Sequence, residues 1–345
     1  MQTYANPYER LSGIVELRAI RAAGFTERQL DTGGVRLNYV VGPDNGRPLV
    51  LLPAQTGTWN SYQRVLVSLS RHFRVCAVDV RGHGKSTWTP GRYSWASIGT
   101  DMTAFLHRVV GPGAIVSGNS SGGLIALWCA VNVADHVAGV ILEDAPVFSA
   151  EMPRFRDRDR FVYRGLEYAV RVLGDVEHRD LADYLRQRVP VSETRERQVP
   201  EWIVSFVSRR VRAFQARHPG RPVDIWYFPR ALRVLLRSLS MFDPDFARAF
   251  VDGRMYAGLD HADALRRITC PLLVLHADWH RSERYGLVGA MDDDDAARIR
   301  QLAPHAQYRR IPANHVIHMF KPRRFIAAVL DFARSLPQTG RADAG

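Results

Sequence analysis

Residues 114–125 read Ala-Ile-Val-Ser-Gly-Asn-Ser-Ser-Gly-Gly-Leu-Ile, and their order decides the fold. An apolar run ends in Gly118-Asn119-Ser120-Ser121-Gly122, and an alanine- and leucine-rich helical stretch follows at once. This is G-x-S-x-G in a strand–turn–helix setting, where a nucleophilic serine stands on a sharp elbow. Such a turn holds Ser120 in a strained backbone conformation, so its neighbours must be nearly free of side chains. Gly118, Gly122 and Gly123 let the helix pack against the strand while the hydroxyl stands clear. Ser120 also sits at the helix N-terminus, where free N–H groups and the macrodipole favour a developing oxyanion. G-x-S-x-G alone arises often by chance. The strand before it and the helix after it outweigh the rival reading of a Gly/Ser-rich turn without chemistry.

Working outward, the pattern repeats. Thr26 to Val41 suggests two strands with Thr32-Gly33-Gly34 as their turn, and Pro48–Pro53 is a short buried strand. Helical stretches are expected at 59–70, 97–109 and 121–134, with strands at 73–80, 114–119 and 137–144. Near-continuously apolar strands alternating with helices predict an α/β class with a mostly parallel sheet covered on both faces. From about 146 to 265 the alternation stops: short apolar runs break on Arg-rich helical stretches, with prolines at 190, 200, 219, 222, 229 and 244. It resumes at Cys270–His276, then a helix near 293–303, a strand at 306–311 and a helix at 322–336. The expected organisation is therefore an N-terminal helical extension (1–26) and a core in two pieces (27–145 and 266–336). A helical cap insertion (146–265) interrupts the core, and a loose tail (337–345) ends the chain.

Composition narrows the function. The 345 residues are 46% hydrophobic and 24% charged, as in a soluble globular protein. No apolar run approaches the ~18–20 residues of a membrane span, and the charged N-terminus lacks a signal-like core. Cys76, Cys129 and Cys270 sit singly in apolar segments and read as buried thiols, so a cytoplasmic location is expected. The net charge of +12 is spread along the chain: +3 over 1–149, +4 over 150–263, +4 over 267–345, and Arg266. A nucleic-acid footprint would be concentrated on one element, so no nucleic-acid partner is expected.

Further motifs surround the elbow. Asp79-Val80-Arg81-Gly82-His83-Gly84-Lys85-Ser86 follows the preceding strand. A P-loop would need a glycine at position 79, where aspartate stands, and a phosphate-cradling helix where Trp88-Thr89-Pro90-Gly91 follows. Near the C-terminus, Ile311-Pro312-Ala313-Asn314-His315 follows the last strand. Together these elements resemble the α/β-hydrolase family over roughly residues 27–336, apart from the insertion. The first motif is similar to that family's D-x-R-G-x-G-x-S loop, and the second to its histidine-bearing ending.

That resemblance implies Ser120 as nucleophile and His315 as the general base that takes and returns its proton. The third member departs from the pattern, because His280 in Ala277-Asp278-Trp279-His280 occupies the customary acid position. Asp144, ending the strand after the elbow helix, and Asp278, two residues before the usual slot, are the candidate acids, with Asp144 preferred. Glu143 is expected to point to the opposite side. The oxyanion hole should use the N–H of Ser121 and, from Pro53-Ala54-Gln55-Thr56-Gly57, that of Gln55. His318 reads as a pocket or supporting residue and His83 as structural. Asp292-Asp293-Asp294-Asp295 lacks calcium-loop spacing and reads as a helix start.

The expected function is a serine hydrolase acting on a small or medium organic ester, thioester or lactone through an acyl-enzyme. No metal or organic cofactor is implied. Two alternatives stay open: a C–C bond hydrolase or lyase/cyclase on the same fold, and a non-catalytic small-molecule binding protein. The expected partner is a small-molecule substrate rather than a membrane, and the sequence leaves the oligomeric state open.

Overall fold

A computed structural model describes residues 4–11, 17–174, 179–185, 190–192 and 195–337. All but the first residue of the expected tail lies outside them. The centre is an eight-stranded sheet. Its strands are β1 (Thr26–Asp31), β2 (Arg36–Val41), β3 (Pro48–Leu52), β4 (Arg74–Asp79), β5 (Ala114–Asn119), β6 (Val137–Glu143), β7 (Leu272–His276) and β8 (Gln307–Arg310). They lie in the order β1-β2-β4-β3-β5-β6-β7-β8. Pairings β1–β2 and β2–β4 are antiparallel and the others are parallel. Strands β3, β5, β6 and β7 are buried almost throughout, which is why each reads as an unbroken apolar run.

Along the chain the main helices are α1 (Trp95–Phe105), α2 (Ser121–Asn132), α3 (Arg160–Leu173), α4 (Glu201–Arg217), α5 (Arg230–Ser240), α6 (Pro244–Val251), α7 (Asp293–Leu302) and α8 (Pro322–Ser335). Helix α1 starts two residues before the expected point. Ser94 accepts from the Ser97 N–H and Ser97 reaches back, a reciprocal cap that fixes the start. Its end continues as a π-helical turn, Leu106–Val110, closed by Gly111 at φ 82°. The four aspartates do cap α7: the Asp292 side chain accepts from the Asp295 N–H.

Two expectations are corrected. The stretch 59–70 is not one α-helix but a 3₁₀ segment, Trp59–Arg64, and a four-residue turn, Leu66–Leu69. The buried Asp79 carboxylate captures the Trp59 N–H at 2.8 Å, so a tertiary partner fixes how this segment begins. Within 1–26, the one helix among described residues is Arg18–Ala22. Further upstream, Asn6 instead docks on the 79–86 loop through bonds to the Gly84 and Ser86 carbonyls.

Among the described residues, 146–265 adds no strand to the central sheet. Its helices α3 and α6 carry the aromatic side chains Phe161 and Phe250 to the carboxyl ends of β5 and β6, where the chain also presents Ser120.

Candidate active site

The elbow is built by close approach. A Cβ on Gly118 would lie 2.0 Å from the Gly122 carbonyl oxygen, one on Gly122 2.3 Å from the Leu52 oxygen, and one on Gly123 2.5 Å from the Ala145 Cβ. No side chain fits at any of the three. Ser120 between them has φ 55° and ψ −125°, a conformation that L-residues rarely adopt. Its N–H is held by the Glu143 carbonyl at 3.0 Å and its own carbonyl accepts from Gly123 at 2.8 Å, so strand and helix jointly enforce the turn.

His315 lies 171 residues away in sequence from Asp144, yet its Nδ1 sits 2.6 Å from the Asp144 Oδ2. The carboxylate accepts, so Nδ1 carries the proton. Asp144 is buried, and its other oxygen accepts the Ala277 N–H at 3.0 Å. Its own φ of 45° turns the carboxylate away from the end of β6. Asp278 is placed differently. Its N–H bonds the Ala313 carbonyl at 3.0 Å, pinning the loop that leads to His315, and it does not line the cavity at Ser120. His280, in the slot where an acid was expected, opens a short hairpin, His280–Ser282 with Gly286–Val288.

Ser120, Ser121, Gln55 and His315 line one cavity of about 80 Å³. Leu124 from the core and Pro146, Ala150, Phe155, Phe161, Val162 and Phe250 from the insertion make its wall mostly apolar. The Gln55 Nε2 is buried and has no hydrogen-bond partner among the described residues. Asp159 also reaches the wall, but Arg154 at 2.6 Å and Arg281 at 3.0 Å hold its carboxylate. Arg154 then forks onto Asp295 at 2.5 and 2.8 Å, tying the insertion to α7. A larger cavity of about 310 Å³, lined by Trp59, Lys85, Arg230 and Arg237, contains neither Ser120 nor His315.

Three supporting residues carry more than the sequence suggested. Asn119 Nδ2 donates to the Glu143 carbonyl at 3.0 Å and the His315 carbonyl at 2.9 Å, joining the elbow to the histidine loop. Its neighbour position to Ser120 was the signal available. Glu143 does face away from Asp144's partner: it accepts the His318 backbone N–H at 2.8 Å and the Nδ1–H at 2.8–2.9 Å. His318 stacks on Tyr62 at 3.9 Å and is fully buried, so it supports the loop and does not line the Ser120 cavity. Burial, with Glu143 nearby, pushes the Tyr62 phenol well above its ordinary range.

His83 reaches the loop of residues 53–57. Its Nδ1 lies 3.1 Å from the Arg81 carbonyl, so Nδ1 donates and Nε2 accepts the Thr56 N–H at 3.3 Å. Only a neutral ring can do both. Burial lowers its pKa to about 4, which keeps it neutral.

The whole chain can now be set against known proteins. A family model described as alpha/beta hydrolase fold matches residues 47–322. The 3-oxoadipate enol-lactonase 2 of Acinetobacter baylyi is 30% identical over 132 residues, 37% of this chain and 48% of that relative. The chain thus spans about half the length of this relative and of others like it. The pimeloyl-acyl-carrier protein methyl ester esterase of Nitrosospira multiformis is 24% identical over 302 residues, covering 86% of this chain and 98% of that protein. Among solved structures, the enol-lactonase from Burkholderia xenovorans LB400 superposes with a TM-score of 0.60 at 19% identity, over 89% of this chain and 100% of that one. No described helix is long and apolar enough to cross a membrane. With its sheet order, its elbow and a family match over most of its length, this chain belongs to the alpha/beta hydrolase fold family.

Proposed function

We propose that the protein is a serine hydrolase of small, largely apolar carboxylic esters, thioesters or lactones. The observation that carries this reading is the His315–Asp144 hydrogen bond at 2.6 Å, with His315 lining the same cavity as Ser120, which stands at φ 55°. With Nδ1 protonated toward Asp144, the His315 Nε2 acts as the base. It takes the Ser120 proton as the hydroxyl attacks the carbonyl carbon, and Asp144 stabilises the imidazolium. The Ser121 and Gln55 N–H groups receive the oxyanion. Protonated His315 then gives its proton to the leaving alcohol or thiol. Water, activated by the same nitrogen, releases the acid and restores Ser120.

The substrate class follows from the wall. Its volume of about 80 Å³ is far below the ~300 Å³ at which drug-sized ligand pockets begin, which selects a compact acyl group. Phe155, Phe161 and Phe250 favour an apolar one, while the unpartnered Gln55 Nε2 offers one donor for an ester or lactone oxygen. The names of two relatives, an enol-lactonase and a methyl ester esterase, support an ester or lactone as the bond cleaved. A panel of short- and long-chain p-nitrophenyl esters and small lactones tests it. Turnover should fall as the acyl chain lengthens and vanish in Ser120→Ala. Unchanged turnover in Ser120→Ala, or a preference for long chains, contradicts the proposal.

A further inference from the structure

A second cluster of reactive side chains lies at the other end of the sheet. His107 stands on the π-helical turn that ends α1, and Asp135 and His136 stand in the turn before β6. The two imidazole rings approach to 3.9 Å between centroids. The Asp135 Oδ2 lies 3.1 Å from the His136 Nδ1. That nitrogen is buried and makes no well-directed hydrogen bond among the described residues. One donor atom from each of the three residues lies within 4.8 Å of the other two.

We propose that His107, Asp135 and His136 form a binding site for a divalent transition-metal ion of the zinc class. Two imidazole nitrogens and one carboxylate oxygen are the donors that zinc, nickel and copper favour; magnesium and calcium prefer oxygen alone. Around an ion with bonds of ~2.0–2.2 Å, tetrahedral donors sit roughly 3.3–3.6 Å apart. Small rotations of the exposed His107 and Asp135 side chains close the present spacing to that value. A fourth position faces solvent and takes water.

The backbone around the cluster is fixed, which favours a defined site over a chance surface pair. The His136 carbonyl accepts the Ala114 N–H at 2.8 Å, locking it to the start of β5, and its own N–H bonds the Val133 carbonyl at 3.0 Å. Gly111 closes the π-turn onto the Leu106 carbonyl at 2.8 Å. The cluster flanks the first residues of β5 and β6, whereas Ser120 and Asp144 follow their last residues. Six or seven residues at ~3.3 Å each put the two sites roughly 20 Å apart. The ion therefore does no chemistry at Ser120. It cross-links the end of α1 to the start of β6 and stabilises the fold.

The test is calorimetric titration of the metal-stripped full chain with zinc chloride at pH 7.5, alongside thermal melting with zinc or magnesium. One equivalent should bind, zinc should raise Tm, and magnesium should not. His107→Ala and Asp135→Asn change exposed side chains, so their metal-free melting and basal ester hydrolysis should match the unaltered protein. Each removes a ligand outright and should weaken zinc binding by at least the ~10–100-fold typical of losing a ligand's supporting hydrogen bond. Absence of a one-to-one site, or equal zinc affinity in the His107→Ala/Asp135→Asn double variant, overturns the proposal.

Discussion

Asp144→Asn is the most instructive change, because the two hydrogen bonds of the carboxylate pull an amide in opposite directions. In the native protein Oδ1 accepts the Ala277 N–H at 3.0 Å and Oδ2 accepts the His315 Nδ1–H at 2.6 Å. An asparagine has one oxygen for two donors. Ala277 is a fixed backbone donor following β7, whereas the imidazole can change tautomer. The amide oxygen therefore stays with Ala277 and the NH₂ group turns to His315. Nδ1 must then accept, which moves the ring proton to Nε2, the nitrogen needed as base. The Ser120 hydroxyl loses its proton acceptor although every atom stays near its place. The same tautomer error in serine proteases costs roughly 10⁴-fold in kcat, or about 5 kcal/mol of barrier. The assay is kcat and KM on a short p-nitrophenyl ester for Asp144→Asn and Asp278→Asn, with denaturant unfolding to show that both fold. The reasoning predicts a loss near 10⁴-fold in kcat for the first and less than tenfold for the second. An Asp144→Asn enzyme within tenfold of normal, or a collapse in Asp278→Asn, refutes it.

Other consequences test other parts. Gly122→Ala places a Cβ 2.3 Å from the Leu52 oxygen and 2.6 Å from the Pro53 oxygen, both backbone atoms that must move. Chemical denaturation should show a loss of at least ~1–3 kcal/mol, and kcat should fall as the Gln55 loop shifts. Arg154→Ala leaves Asp159 and Asp295 buried with fewer partners; Arg154 is itself 24% exposed. A cost of about 2 kcal/mol, between that of exposed and fully buried pairs, should appear in the same assay. His83, lowered to about 4, sets an acid limit. Its folded value lies below the ordinary ~6.5, so the unfolded chain takes the proton first. Its contribution is complete above about pH 6.5 and is lost toward pH 4, up to ~3 kcal/mol. Asp79, raised to about 6 by burial, opposes this over part of the range because its folded carboxyl protonates first. Stability measured at pH 7 and pH 4.5 should therefore drop less in His83→Gln than in the native protein.

What could be read from the sequence was whatever chemistry local geometry enforces. Gly118, Gly122 and Gly123 announce the elbow by their spacing around Ser120. A Cβ on Gly118 would strike Gly122 four residues on, while those on Gly122 and Gly123 would strike the Leu52 oxygen ending β3 and the Ala145 Cβ just past β6. The apolar strands announce the parallel sheet through an equally local pattern. The choice of acid was not legible in that way. Asp144 and Asp278 are both near strand ends, and only the turn of the backbone at φ 45° aims the first at His315. The 59–70 stretch misleads because its helical pattern competes with a distant carboxylate, Asp79, for the Trp59 N–H. His83 was legible as part of a motif but not as the acceptor for Thr56, since that bond joins two loops that only the folded sheet brings together.

The central claim is that Ser120 is an activated nucleophile, and reaction with a fluorescent fluorophosphonate followed by peptide mapping tests it most directly. The account predicts rapid labelling confined to Ser120, lost in Ser120→Ala and slowed by orders of magnitude in His315→Ala. Labelling at another residue, or undiminished labelling in His315→Ala, contradicts it.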